Sequence, residues 1–182
     1  MRPTLLCSIF SLTSAALLLI GCQTYRLGSP TQIAFDSLYI EPVHNSSFAP
    51  QVQQVLSTQV RKSIIRDGRI SLASNPNQAA ARLEIELTDY QRNSSAYTHD
   101  DIDLARSYSL SLIAKVSLWD CRQNGYLFKD RIVQASEQSY VGNPFDNSVI
   151  SANNFNAAEY NSMPLLTRSL AEKISHQVLS PW

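Results

Sequence analysis

Hydrophobic and polar positions alternate most regularly in the middle of the chain. Tyr108, Leu110, Leu112, Ala114, Val116 and Leu118 are spaced two apart, and Ser107, Ser109, Ser111, Lys115 and Ser117 fall between them. A period of two sends successive side chains to opposite faces, so this segment predicts a long strand with one dry and one wet face. Asp120 to Gly125 reads as a turn containing Asn124-Gly125, and Tyr126 to Tyr140 as the returning arm of a hairpin. Upstream, Leu83, Ile85 and Leu87 alternate with Arg82, Glu84 and Glu86, a strand that the polar run Gln91 to Asp101 breaks. Shorter strands are expected at Leu38 to Val43, where Pro42 marks an end or an edge, and at Arg69 to Ala73.

Two segments carry the longer period of a helix. Val52, Val55, Leu56, Val60 and Ile64 form one face; Pro50 opens this helix and Asp67-Gly68 closes it. Leu166, Leu170, Ile174 and Val178 recur four apart within Met163 to Leu179. Pro164 either starts this second helix or kinks a longer one begun near Phe155. His44 to Ser47 reads as a turn, Ser74 to Asn77 as a loop, and Gly142 to Asn154 as a loop rich in Asn and Ser. An antiparallel or mixed sheet covered on one face by two helices satisfies every apolar face. With 182 residues the chain allows one such domain and hardly two.

Charge narrows the function classes. Lys and Arg total 15 against 15 Asp and Glu, with no net formal charge. A nucleic-acid binder would show a basic excess laid out as a patch, and none is present. The first residues do not belong to the fold. Met1-Arg2 is a short positive start, Leu5 to Ile20 is nearly unbroken small and apolar sequence, and Leu19-Ile20-Gly21-Cys22 closes it. About 20 residues are needed to span a bilayer, so this run of 16 reads as a secretory signal. Its close has the form of a lipobox: residues 1–21 are the signal peptide, the Cys22 thiol takes diacylglycerol, and 22–37 form a tether. Several acyl chains together make a stable membrane anchor. Gln23, in the place where Asp marks inner-membrane retention, favours the outer membrane. With Cys7 in the signal and Cys22 lipidated, Cys121 has no partner for an internal disulfide.

Catalytic chemistry is not legible. His44, His99 and His176 fall in a turn, a polar loop and a helix, and no spacing draws them toward Cys121 or a serine. There is no G-x-S-x-G elbow and no Gly-rich phosphate loop. His99, Asp100, Asp101 and Asp103 lack the spread and the bend glycine of a calcium loop and read as a solvated hairpin tip. The expectation is a protein that is not an enzyme, with no catalytic residue, no metal and no cofactor. Cations are more suggestive. Lys115 falls on the serine face of the long strand, Lys129 and Arg131 share a face of its returning partner, and Arg92 lies beyond the preceding strand. Gathered on an exposed face, such groups could hold phosphate or carboxylate headgroups by charge-assisted hydrogen bonds, or be scattered charges on a solvated strand.

The order of these features resembles the LPS-assembly lipoprotein family, the LptE-like group. Cys22-Gln-Thr-Tyr25-Arg-Leu27-Gly28 is similar to its lipid-Cys and "G-Y-x-L" opening. Leu38 to Phe48 resembles its first strand and Asn-containing turn, and Ala79-Ala-Ala-Arg-Leu83-Glu-Ile85 its "A-D-x-x-L" lead-in to the next. The long strand at 104–119, the Gly125 turn, Tyr140-Val141-Gly142 and the C-terminal helix also fit, and Ile174 to Trp182 resembles members from chlamydia-like bacteria. It departs where Thr24 replaces a common glycine and where Ala80 or Ala81 replaces an acid.

The resemblance implies a fold and a task. The expected fold is α+β over residues 38–182: two helices packed on one face of a four-stranded, mostly antiparallel sheet. The expected protein is lipid-anchored at the outer membrane, facing the periplasm or a barrel lumen. It would plug an outer-membrane β-barrel, assist its assembly, and help insert lipopolysaccharide into the outer leaflet. Its partners would be that barrel and lipopolysaccharide, and Lys115, Lys129 and Arg131 would be candidate glycolipid contacts. The alternative is a periplasm-facing lipoprotein adaptor of a Tol- or curli-secretion-like assembly, binding protein or peptidoglycan.

Overall fold

A computed structural model describes residues 33–49, 51–98, 101–140 and 155–180; of 95–98 and 101–106 it describes the backbone only. The signal, Cys22, Pro50, the side chains of His99 to Asp103, and the loop 142–154 lie outside the described residues. The elements are β1 (Ser37–Ile40), β2 (His44–Asn45), α1 (Val52–Asp67), β3 (Ser71–Leu72), β4 (Ala81–Thr98), β5 (Asp101–Asp120), β6 (Gly125–Tyr140) and α2 (Phe155–Leu179).

Among the described residues the sheet has six strands in the order β3-β1-β4-β5-β6, with β2 paired to β4 off this path. This corrects the four-stranded expectation. Of the two short strands, β3 falls within the strand expected at Arg69 to Ala73, whereas β2 stands at His44-Asn45 in place of the expected turn, and at two residues it is too short to leave a period in the sequence. Backbone pairing alone defines them: Ser71 N donates to Asp36 O, Ala73 N to Leu38 O, and Ser46 N to Leu87 O. The β1–β3, β1–β4 and β2–β4 pairs are parallel, and the long β4–β5 and β5–β6 pairs are antiparallel. Parallel neighbours need a crossover, and α1 supplies it between β1 and β3.

Both helices cover one face of the sheet. From α1 come Val52, Leu56, Val60 and Ile64, and from α2 Leu166, Leu170, Ile174 and Val178, all essentially inaccessible to solvent. They meet Leu83, Ile85 and Leu87 of β4 and the even-numbered run Leu110 to Leu118 of β5. Val55, counted on the apolar face of α1 from its spacing, is 37% exposed at the rim. Gly68 ends α1 in the left-handed region at φ 74, its N–H donating to Ile64 O at 3.2 Å. Pro164 lies inside α2, which begins at Phe155, so the longer helix is the one formed.

Among several register shifts in these ladders, two decide where the candidate residues face. Leu87 pairs with Ala114 but Asp89 with Ile113, so Thr88 is an extra residue in β4. Beyond it Tyr90 and Arg92 turn to the helix side, opposite Leu112 and Leu110. The core positions Leu87 and Tyr90 are therefore three apart, and the alternation vanishes where the strand continues. That is why the polar run from Gln91 reads as a break although β4 extends to Thr98. In β6, Val116 pairs with Arg131 and Leu118 with Phe128, leaving an extra residue at Lys129-Asp130. Asp130 is left-handed at φ 52, and its N–H donates to Ser117 Oγ at 3.0 Å.

Candidate functional site

Among the described residues no helix covers the other face of the sheet, and its character changes along the strands. Toward the β5–β6 turn it is charged and aromatic. Arg82 lies opposite Trp119, Glu84 opposite Ser117 and Glu86 opposite Lys115. Trp119 and Tyr126 meet edge to face at 4.8 Å, with the Lys129 ammonium 5.2 Å from the Tyr126 ring centre. A shallow pocket here is lined by Glu41, His44, Glu84, Glu86, Lys115 and Asp130 among others. Partial burial, then the nearby Glu41 carboxylate, pushes the Glu84 carboxyl above its ordinary value. From Asp89 onward the same face carries mostly uncharged polar side chains, Gln91, Asn93, Ser109, Ser111, Gln134 and Ser136, with Ile113 between Asp89 and Gln134. The hydroxyls of Ser111 and Ser136 meet across β5 and β6 at 2.7 Å.

The three cations singled out in the sequence do not form one patch. Lys115 is exposed on the open face, and Lys129 is exposed beside Tyr126 on that face. Arg131 is on the helix side, because the extra residue at Lys129-Asp130 breaks the alternation that would have kept it with Lys129. It donates to Gln177 Oε1 of α2 at 2.8 Å and stacks on Phe128 at 4.2 Å. The open face is also less basic than strand phase suggests, since Glu41, Glu84 and Glu86 stand among Arg82, Lys115 and Lys129. Of the residues with potential chemistry, His176 is exposed beside Ser180, and Cys121 is half-buried with a free thiol.

Arg92 is part of a constellation that sequence reasoning missed. Its guanidinium is 3.0 Å from Glu159 of α2, whose side chain is only 9% exposed. The same carboxylate accepts the Tyr90 hydroxyl. Arg92 also lies over the rings of Tyr90 at 5.2 Å and Phe155 at 5.5 Å, and Phe155 meets Tyr108 edge to face at 4.6 Å. Burial, reinforced by its bond to Glu159, raises the Tyr90 phenol far above its ordinary value, so it stays a donor. A single Glu inside a helix gives no sequence signal for this, and the Thr88 bulge hides the strand half.

Glu159 also lines a groove between the first turns of α1 and α2, with a volume of about 390 Å³. Its walls include Val52, Val55, Tyr160, Met163 and Pro164. Thr167 lies at its base, the hydroxyl donating to Met163 O at 2.8 Å.

This arrangement defines an α+β module of two helices on one face of a mixed sheet, and solved structures share it. A minor lipoprotein from Acinetobacter baumannii shares the fold at TM-score 0.50 and 18% identity, over 81% of this chain and 92% of that one. A hypothetical protein from Chlamydia trachomatis does so at TM-score 0.52 and 16% identity, over 80% and 96%. A Xanthomonas campestris protein reaches TM-score 0.57 at 10% identity, over 86% and 89%. These identities establish a shared fold. No curated protein matches the chain. The family model of LptE, described as lipopolysaccharide-assembly, matches residues 35–178, and the chain belongs to that family. With membership comes the location, a lipid-anchored protein of the outer membrane that faces the periplasm.

Proposed function

We propose that this protein is a non-enzymatic partner of an outer-membrane β-barrel. Held by lipid at Cys22, it plugs the barrel, assists its assembly, and helps pass lipopolysaccharide to the outer leaflet. Together with family membership, the observation that carries the reading is the uncharged half of the open sheet face, Gln91 and Asn93 beside Ser109, Ser111, Gln134 and Ser136. A barrel lumen is polar, so the surface that lines up with it should be polar too. Short hydroxyls and amides allow close approach and leave no bare charge to desolvate against the wall.

The test is affinity purification of the tagged, lipidated protein from detergent-solubilised outer membrane, with mass spectrometry of what stays bound. One large β-barrel subunit in near-equal amount is expected. Soluble periplasmic proteins or peptidoglycan fragments without a barrel would overturn the reading in favour of a periplasm-facing adaptor.

Glycolipid contact on this face falls to Lys115 and Lys129, whose ammonium groups are exposed there. Each works beside a carboxylate, Glu86 opposite Lys115 and Glu84 near Lys129, so each phosphate contact contributes only about 1 kcal/mol. Lys115→Ala and Lys129→Ala should each lower photocrosslinking to lipopolysaccharide by roughly fivefold or less. Arg131→Ala should leave it unchanged and lower thermal stability instead, since Arg131 bonds Gln177. Equal crosslinking by wild type and the Lys115/Lys129 double variant would remove both residues from the glycolipid path.

A further inference from the structure

The chain leaves the fold toward Cys22 at one end of the sheet. Leu38 of β1 pairs with Ala81, Ala81 with Asp120 and Asp120 with Gly125, so β1 starts in the same row as the β5–β6 turn. Asp36, just ahead of β1, is held to Arg122 of that turn at 2.9 and 3.0 Å. Ile33 packs against the core and Phe35 lies within it, so the chain is already fixed there. The remaining link from Cys22 to Ile33 spans at most about 40 Å even when fully extended. The 20 residues of β5 run about 60 Å from this end to the far tip. A lipid on Cys22 therefore cannot draw level with that tip.

The side chains at this end suit a lipid–water boundary. Trp119 is the one tryptophan among the described residues, and it stands one row from the closing pair of the turn, edge to face with Tyr126 at 4.8 Å. Tyr126 is 42% exposed, and Arg122, Gln123 and Asn124 are exposed beyond it. Tryptophan and tyrosine gather at headgroup level because an apolar ring carries one polar group that stays wet. The charges here come in pairs. Arg122 is bonded to Asp36, and Arg82, opposite Trp119, lies 3.8 Å from Glu41. Lys129 has Glu84 nearby. Such an end has no cationic excess to draw it to an anionic surface. It matches a surface whose own charges are paired, a phosphate beside an ammonium.

We infer that the β5–β6 end of the sheet, with Trp119 and Tyr126 foremost, rests on the periplasmic headgroups of the outer membrane, and that the surface it takes is zwitterionic phospholipid of the ethanolamine type. This rests on the lipid at Cys22 in the reading above, and the barrel does not enter it. The two halves of the open face then have different neighbours. The aromatic, charge-paired half stays at the headgroups, and the half with Gln91, Ser109 and Ser111 stands away from them. Contact through interfacial aromatics adds orientation to an anchor that by itself fixes only position.

The test uses the full lipidated chain in vesicles of phosphatidylethanolamine and phosphatidylcholine, with no barrel and no lipopolysaccharide. Trp182→Phe leaves Trp119 as the only tryptophan of the sequence, and its fluorescence is read against lipids with a nitroxide at the headgroup or deep in the acyl chain. The headgroup nitroxide should quench Trp119 roughly twofold more than the deep one, since indoles settle at headgroup level. A second reporter, Trp119→Phe with Trp182→Phe and Tyr140→Trp, puts the tryptophan at the last residue of β6, where Tyr140 is 72% exposed. Neither lipid should quench it. Equal quenching of both reporters, or none at Trp119 in chains that float with the vesicles, would overturn the inference and leave the barrel reading standing. Chains that do not float lack the anchor, which would overturn the inference together with the lipid at Cys22. Quenching seen only when phosphatidylglycerol replaces the zwitterionic lipids would overturn the choice of surface. A blue-shifted Trp119 that no nitroxide reaches would mean that a second copy covers this end, and would overturn the inference as well.

Discussion

Replacing Arg92 with methionine should destabilise the protein by about 3–5 kcal/mol, more than removing the acid it pairs with. The asymmetry follows from burial. The Glu159 side chain is 9% exposed and that of Arg92 is 45% exposed. Without Arg92, a carboxylate remains under α2 with the Tyr90 hydroxyl as its one remaining bond in the constellation. Without Glu159, the guanidinium can turn to water and keep its stacking on Tyr90 and Phe155. Glu159→Gln should therefore cost only about 1–3 kcal/mol, the value of a lost charged hydrogen bond.

A double-mutant cycle separates this account from simple loss of packing. Arg92→Met combined with Glu159→Gln no longer strands a buried charge and should regain part of the stability lost in Arg92→Met alone. Urea unfolding of the four chains gives the comparison. A double variant no more stable than Arg92→Met would place the effect in packing and not in the buried charge.

Elements with an unbroken period were legible before the fold was known. The β5 alternation, the α1 and α2 stripes and the Gly68 stop all stand where spacing placed them. What sequence could not carry has local causes. A two-residue strand has no period, so β2, read as part of a turn, exists only through the β4 residues that pair with it, while β3 lies within the strand expected at Arg69 to Ala73. One extra residue at Thr88 shifts the phase of β4, and another at Lys129-Asp130 separates Arg131 from Lys129. A strand-phase argument for a cationic face fails at the first bulge it crosses. The groove was hidden for a different reason. Val55 has helical spacing with the core residues, and only the approach of α2 decides whether that edge of the stripe is covered.

The same contrast between pattern and packing predicts two very different outcomes for leucines five positions apart on α2. Leu170 is fully enclosed, and Leu165 is 59% exposed. Leu170→Ala removes methylene and methyl groups from the seam where both helices meet the sheet and leaves a cavity the surrounding strands cannot close. The loss should be about 2–5 kcal/mol, combining lost burial with the cavity left behind. For a domain near 150 residues that corresponds to a fall in Tm of roughly 5–15 °C. Leu165→Ala should change Tm by less than about 2 °C, since an exposed side chain has little burial to lose and alanine is the better helix former. The enclosed leucine also supports function indirectly, because α2 backs the sheet whose open face carries the barrel reading. Leu170→Ala should thus weaken barrel recovery only in proportion to the fraction unfolded, and growth at low temperature should restore it. A recovery defect that persists when the variant is fully folded would mean that packing at Leu170 sets the shape of that face as well as the stability of the domain.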